Sequence, residues 1–185
     1  MFFAFMTKLL VVSGHVDLAH SVANKAILEG LKKEFPDAEF DDLIGLYPDY
    51  KIDAKAEQEK LVKADVIVLQ FPFFWYNCPS IMRKWFEDVL THGFAYGSNG
   101  KALAGKKLLV SLTLGAPADM YQHDAAQNFE IGEFMPSFMQ LANLCSMQWS
   151  GFVCSGGYQF TAEEAKKIEM ANKHVKELVD TIKSL

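Results

Sequence analysis

Two short stretches of this chain are apolar at every position: Leu9-Leu10-Val11-Val12, between Lys8 and Ser13, and Val66-Ile67-Val68-Leu69, ahead of Gln70-Phe71. A strand with one face in water alternates apolar and polar side chains with a period of two. A strand covered on both faces has no reason to alternate, and such strands belong to parallel sheets roofed by helices on each side. Gly14 closes the first run and Pro72 the second, so both are too short for buried helices. Between them, Ser21 to Phe35 carries Ala23, Ala26, Ile27, Leu31 and Phe35 on one helical stripe and stops at Pro36. Glu39–Leu43 reads as a short second strand and Asp53–Ala64 as a helix with a charged face. Ile81–Leu90 reads as a helix opened by Pro79, Leu108–Leu114 as a fourth strand and Gln148–Ser155 as a fifth. Asn128–Leu144 and Ala162–Ser184 read as further helices. The alternation predicts an α/β fold with helices on both faces of a parallel sheet.

Composition narrows the partners. Eighteen basic against twenty-three acidic residues leave a formal charge of −5, and the longest basic runs are pairs such as Lys32-Lys33. That balance argues against nucleic acid and anionic membrane as ligands. No apolar run reaches the roughly 18 residues of a spanning helix. The start, Met1 to Met6, is apolar, but no basic residue precedes it, Lys8 interrupts it and no small-residue cleavage site follows. It reads as an extension of a single domain over residues 1–185, with Met6 an alternative start. Three cysteines, Cys78, Cys145 and Cys154, lack CxxC spacing, which argues against a disulfide framework and for a reducing cytoplasm.

In open parallel sheets the ligand sits beyond the carboxyl ends of the strands, where strand order reverses. The loop after the first strand leads to Ser21, a natural N-cap followed by Val22, Ala23 and Asn24. Its hydroxyl and the free first-turn amides can wrap an anion. No acid stands in that turn, which leaves the positive end of the helix dipole available. Alone, this is an ordinary serine cap. After the third strand, Phe71, Phe73, Phe74, Trp75 and Tyr76 place five aromatics in six positions, with Pro72 turning the chain out of the sheet. Such a platform suits a flat aromatic ligand. Core or dimer-interface packing accounts for part of it; Phe71 and Phe73 read as structural, Trp75 and Tyr76 as ligand-facing. After the fourth strand, Thr113-Leu114-Gly115-Ala116 is small enough for close backbone approach.

Several patterns fail on context. Gly100 to Lys107 nearly spells a phosphate loop, but Lys107 stands where Ser or Thr is needed and the stretch precedes a strand. There is no GxGxxG and no GxSxG. The five histidines form no metal-ligand pattern, and His174 reads as a solvated helix residue. Cys78 reads as a packing thiol.

The stretch from Gln70 to Gly97 carries QFP, a WY pair, a Pro-led helix with KWF, and HGFAYG. With Leu46-Tyr47-Pro48-Asp49-Tyr50 it resembles the NAD(P)H:quinone oxidoreductase family, in its short bacterial branch of potassium-efflux ancillary and general stress reductases. The resemblance spans about Leu9 to Trp149. It implies a flavodoxin-like three-layer sandwich with a five-stranded parallel sheet of order 2-1-3-4-5. It implies an isoalloxazine held by Pro72, Phe73, Phe74 and Trp75 with Tyr76 nearby, and a phosphate site at His15, Ser21, Val22, Ala23 and Asn24. The third element, Thr113, Leu114, Gly115 and Ala116, departs from the family's T-T-G-G by replacing a hydroxyl with Leu114 and a glycine with Ala116 at the polar edge of the ring. Tyr121 matches the active-site tyrosine, while Gln127 stands where longer members place its histidine.

The implied activity is two-electron, ping-pong transfer from NAD(P)H through FMN, or FAD, to a quinone-type acceptor in a homodimer, with Tyr121 and Tyr76 at the reacting centre. Peripheral association with a potassium-efflux transporter, as a flavin-loaded regulatory subunit, is the alternative. A one-electron carrier is a third reading, although the strong acidity of such carriers is absent.

Overall fold

The computed structural model describes residues 7–161 and 163–185. The extension expected over Met1–Met6, and Ala162, where the sequence places the start of the last helix, lie outside the described residues. Five strands form one parallel sheet: β1 (Leu9–Ser13), β2 (Glu39–Asp42), β3 (Val66–Pro72), β4 (Lys107–Thr113) and β5 (Gln148–Ser155), in the order β2-β1-β3-β4-β5. The helices are α1 (Val22–Glu34), α2 (Leu43–Leu46), α3 (Ala54–Lys63), α4 (Ser80–Val89), α5 (Pro136–Leu144) and α6 (Glu164–Ser184).

The continuous apolar runs are explained by the two cores. Leu9 and Val11 of β1, with Val66 and Val68 of β3, pack against α1 and α6; Leu10, Val12, Ile67 and Leu69 pack against α3, α4 and α5 on the other face. Each such side chain contributes about 1.5–3 kcal/mol on leaving water, so neither face tolerates the polar alternation of a half-exposed strand. Gly30 is what lets α1 and α6 approach: a Cβ there would lie 2.7 Å from Val175 Cγ2.

Several expected elements differ in extent. The helix over Asn128–Leu144 begins only at Pro136, after a 3-10 turn at Ile131–Phe134. Asn128 is left-handed, with φ of 61°, and Pro136 has no N–H for the carbonyl four residues back, so it can open a helix but not continue one. The second strand ends at Asp42 and Leu43 starts α2. Pro72 stays in the sheet opposite Thr113, and the chain departs after it, because the last residue of a strand needs no ladder donor.

Behind β2 lies a buried charge cluster. The Glu57 carboxylate, fully buried, accepts hydrogen bonds from Lys60 Nζ (2.7 Å), Tyr47 OH (2.7 Å) and Trp85 Nε1 (2.8 Å), and Lys60 also reaches Asp41 at 2.7 Å. Burial pushes Glu57 up, but Lys60, Trp85 and Tyr47 outweigh it and hold the carboxyl below its ordinary value. Asp41 is pushed up to about 6, first by burial and then by the neighbouring Glu57 charge, against the pull of Lys60. These shifts act oppositely on stability. Glu57 contributes stability above its ordinary 4.5 that is lost as pH falls. Asp41 contributes stability below 3.8 that is lost as pH rises through about 6.

Glu57→Ala, which leaves the Trp85 Nε1–H and Tyr47 O–H without their acceptor and Lys60 with Asp41 alone, is expected to cost about 3–5 kcal/mol in urea unfolding. Asp41→Asn should remove the part of the pH dependence that falls between ~4 and ~6; an unchanged slope there contradicts the raised carboxyl.

Candidate active-site cleft

The cleft opens where β1 and β3 end. β1 feeds α1, which packs on one face of the sheet, and β3 feeds the aromatic loop and α4, which packs on the other. The divergence leaves a cleft of about 570 Å³ beyond the strand ends, within the range of small-molecule sites.

One wall is the start of α1. Ser21 is extended (φ −88°, ψ 114°) and its Oγ accepts the Asn24 N–H at 3.2 Å. The amides of Val22 and Ala23, in a first turn without acids, are left for a ligand. His20 lines this wall and pairs with Asp17 at 2.8 Å. His15 does not line it. Its Nδ1 accepts the Asp17 N–H at 3.0 Å, and its ring stands 6.1 Å from that of Phe74; burial lowers its pKa and keeps it neutral.

The opposite wall is the loop Phe73–Asn77. Asn77 N–H donates to Phe74 O at 3.0 Å, and the two central residues are both left-handed: Trp75 at φ 50° and Tyr76 at φ 64°. Glycine or asparagine normally occupies such a turn. Holding two bulky aromatics in it stores strain of the kind concentrated at functional sites, on the order of 1 kcal/mol each. Trp75 is 94% exposed, Phe74 41% and Tyr76 50%, whereas Phe71 and Phe73 are buried. Trp75 and Tyr76 N–H have no partner among the described residues. Behind this wall Phe73, Tyr76 and Tyr121 gather around Phe134, which stacks on Tyr76 at 5.6 Å. Burial raises the Tyr121 phenol, with Tyr76 and Cys154 adding to it, so at neutral pH it is a donor and not a base.

The third side is the segment after β4. The Leu114 side chain is part of the core, so only its backbone faces the cleft. Leu114, Gly115 and Ala116 are zipped to the end of β5 and the segment after it by Leu114 N–H to Ser155 O (2.8 Å), Gln159 N–H to Gly115 O (3.0 Å) and Gly157 N–H to Ala116 O (2.8 Å). The N–H groups of Gly115 and Ala116 remain without partners among the described residues. Backbone donors therefore stand where the T-T-G-G comparison had put side-chain contacts in question.

Sequence reasoning missed His20, Tyr158, Gln159 and Lys167, all of which line the cleft. The signal was the Gly156-Gly157 pair at the end of β5, a strand end like the others. His174 is a correction: it is 2% exposed, not solvated. It shares the buried α6 stripe of Ala171, Val175, Leu178, Val179 and Ile182, and Ser111 and Ser155 satisfy its ring nitrogens. Cys78 is buried, and burial pushes its thiol up to about 11, which removes it as a nucleophile. Among the described residues no group of His, Cys, Asp and Glu could hold a metal, and no helix is long and apolar enough to cross a membrane.

A family model for the flavodoxin-like fold matches residues 7–179. The uncharacterized NAD(P)H oxidoreductase YrkL of Bacillus subtilis (strain 168) is 39% identical over 160 residues, covering 86% of this chain and 91% of its own. KefG, an ancillary protein of the glutathione-regulated potassium-efflux system of Cronobacter sakazakii, is 37% identical over 142 residues, 77% of each chain. The crystal structure of general stress protein 14 from Treponema denticola in complex with FMN is 32% identical, with a TM-score of 0.85, covering 94% of this chain and 98% of that one.

Gly156 passes the Ala116 carbonyl so closely that a Cβ would meet its oxygen at 2.6 Å and Ala118 N at 2.9 Å. Gly156→Ala should therefore cost about 1–3 kcal/mol and open the zipped segment, read as a lower thermal midpoint with faster exchange of the Gly157 and Gln159 amides.

Proposed function

Since the chain belongs to the flavodoxin-like fold family, we propose that its cleft holds FMN and that the protein is an NAD(P)H oxidoreductase delivering two electrons to a quinone-type acceptor. The observation that carries this reading is the convergence of an acid-free helix start and a strained aromatic turn on one cleft at the β1/β3 divergence. The donor set fits the group. Ser21 and the Val22 and Ala23 amides suit a phosphate. Phe74 and Trp75 suit a flat ring, and the unpartnered amides of Trp75, Tyr76, Gly115 and Ala116 suit its polar edges. The FMN complex of general stress protein 14 supports this choice of flavin. When bound, FMN supplies the hydride acceptor and donor that NAD(P)H and the quinone meet in turn, a ping-pong exchange.

The chain's own residues orient and shield. The ring wall of Phe74 and Trp75 keeps water from one side of the site. Tyr121, held protonated, is a donor for the oxygen of the acceptor, and Tyr76 positions that acceptor against the Phe134 stack. The exposed Phe74, Trp75 and Tyr76 are suited to cover by a second copy of the chain, which would close the cleft. The likeness to KefG supports a second reading, in which the flavin-loaded protein docks on a potassium-efflux transporter. Co-purification with that membrane protein, set against turnover of the free enzyme, separates the two.

Apo-protein titrated with FMN and riboflavin should bind FMN far more tightly, and Ser21→Ala should weaken FMN by about tenfold while leaving riboflavin unchanged. Equal affinity for the two flavins would sink the phosphate assignment. Trp75→Ala and Tyr121→Phe should each lower steady-state NAD(P)H oxidation with menadione, the first through flavin affinity and the second through kcat.

A further inference from the structure

A chain of buried hydrogen bonds joins the two ends of the cleft beneath its surface. Tyr158 OH lies 2.8 Å from Ser155 Oγ, which lies 2.8 Å from His174 Nδ1. His174 Nε2 lies 2.7 Å from Ser111 Oγ, and Ser111 donates to Gln70 Oε1. Gln70 Nε2 donates to Asn24 Oδ1 at 2.8 Å, and Asn24 Nδ2 donates to Thr113 Oγ1 at 3.1 Å and to Ser21 Oγ at 3.3 Å. Tyr158, Asn24, Thr113 and Ser21 line the cleft; Ser155, His174, Ser111 and Gln70 do not.

Counting protons gives the chain a direction. Ser111 has one proton and gives it to Gln70, so the proton between Ser111 and His174 must sit on Nε2. A neutral imidazole then has a bare Nδ1, and Ser155 must donate to it. Ser155 has no second proton, so Tyr158 donates to Ser155 and leaves a lone pair for the cleft. At the far end Ser21 Oγ already accepts twice from Asn24, and Thr113 Oγ1 accepts once. Among the described residues the Ser21 proton is free for a ligand, and the only acceptor near the Thr113 proton is Asn24 Oδ1 at 3.4 Å, the long limit of such a bond. His174 is in the right charge state: burial alone lowers it to about 4, and no charged group contributes.

The opposite direction needs both amides turned over, with the His174 proton on Nδ1 and the Tyr158 proton facing the cleft. It also consumes the Ser21 proton at Asn24. An anion at the start of α1 needs that proton and so selects the first direction.

We propose that His174 is a positioning residue whose Nε2–H tautomer sets the polarity of the cleft, with hydroxyl donors at Ser21 and Thr113 for the phosphate and an acceptor at Tyr158 for a ring N–H of the same ligand. The ligand's identity rests on the flavin reading above; the tautomer requires only an anion at the start of α1.

Long-range proton–nitrogen correlation spectra of the full chain labelled with ¹⁵N-histidine read the tautomer directly, His174 being assigned by its loss in His174→Gln. With FMN bound at neutral pH the expected result is a protonated Nε2 and a bare Nδ1. A protonated Nδ1, alone or in an imidazolium, overturns the proposal. Ser155→Ala cuts the chain without touching the cleft, and Tyr158→Phe removes the acceptor. Each should weaken FMN binding by about tenfold, and the double variant by no more than either. Additive losses, or a Tyr158→Phe loss seen with FMN but not with riboflavin, also overturn it. If the chain took up no flavin, the functional reading would fall, while the apo-protein spectrum with inorganic phosphate as the probe would still decide the tautomer.

Discussion

The parallel pairing of β1 with β3 runs from Leu9 against Val66 to Ser13 against Gln70. At its carboxyl end α1 turns to one face of the sheet while the aromatic loop and α4 turn to the other. Two backbones that leave a shared edge in opposite directions expose the amides that the ladder no longer uses. Parallel sheets offer few such places, because helices cover their faces and neighbouring strands consume the ladder groups. The α1 cap and the strained Trp75–Tyr76 turn are consequences of that divergence, and the Gly115–Ala116 amides at the end of β4 line the same cleft.

The same strand ends carry an electrostatic problem. Gln70, Ser111 and Thr113 are polar residues in strands buried on both faces, and each costs several kcal/mol unless hydrogen-bonded. They are satisfied by one another, by Asn24 and by His174. Such a network is cooperative and holds its members in one arrangement. The cleft-lining Asn24 and Thr113 are therefore held in place by Gln70, Ser111 and His174, which do not line the cleft. On the far side of β2, Glu57, Asp41 and Lys60 solve a similar problem with full charges, and their opposed pKa shifts tie that edge of the fold to pH.

The aromatic loop shows where local reading stops. Its ring content marks a platform for a flat ligand, and the burial of Phe71 and Phe73 follows from their strand-end positions. That Trp75 and Tyr76 are left-handed, with free amides, could not be read from residue types that rarely adopt such a turn. Leu114 shows the converse. As a letter it removes a hydroxyl from a familiar motif; in the fold its side chain enters the core, and the backbone beside it carries the donors.

Strand positions, sheet type, the Ser21 cap and the aromatic platform were legible in the sequence because each follows from burial periodicity, capping chemistry or composition within a few residues. The tertiary structure decided what depends on segments far apart in the chain. Pro136, not the apolar pattern beginning near Asn128, set where α5 starts, although that stop signal was itself local. The β5 segment enters the cleft only because β5 lies beside β4. His174 looked like a solvated helix residue because Lys173 and Lys176 stand within two positions of it. It is buried because Ser111, Ser155 and α6 meet beneath the site, with hydroxyls placed to satisfy both ring nitrogens. Periodicity tells which face of a helix is covered; only the packed sheet tells which polar groups are waiting there.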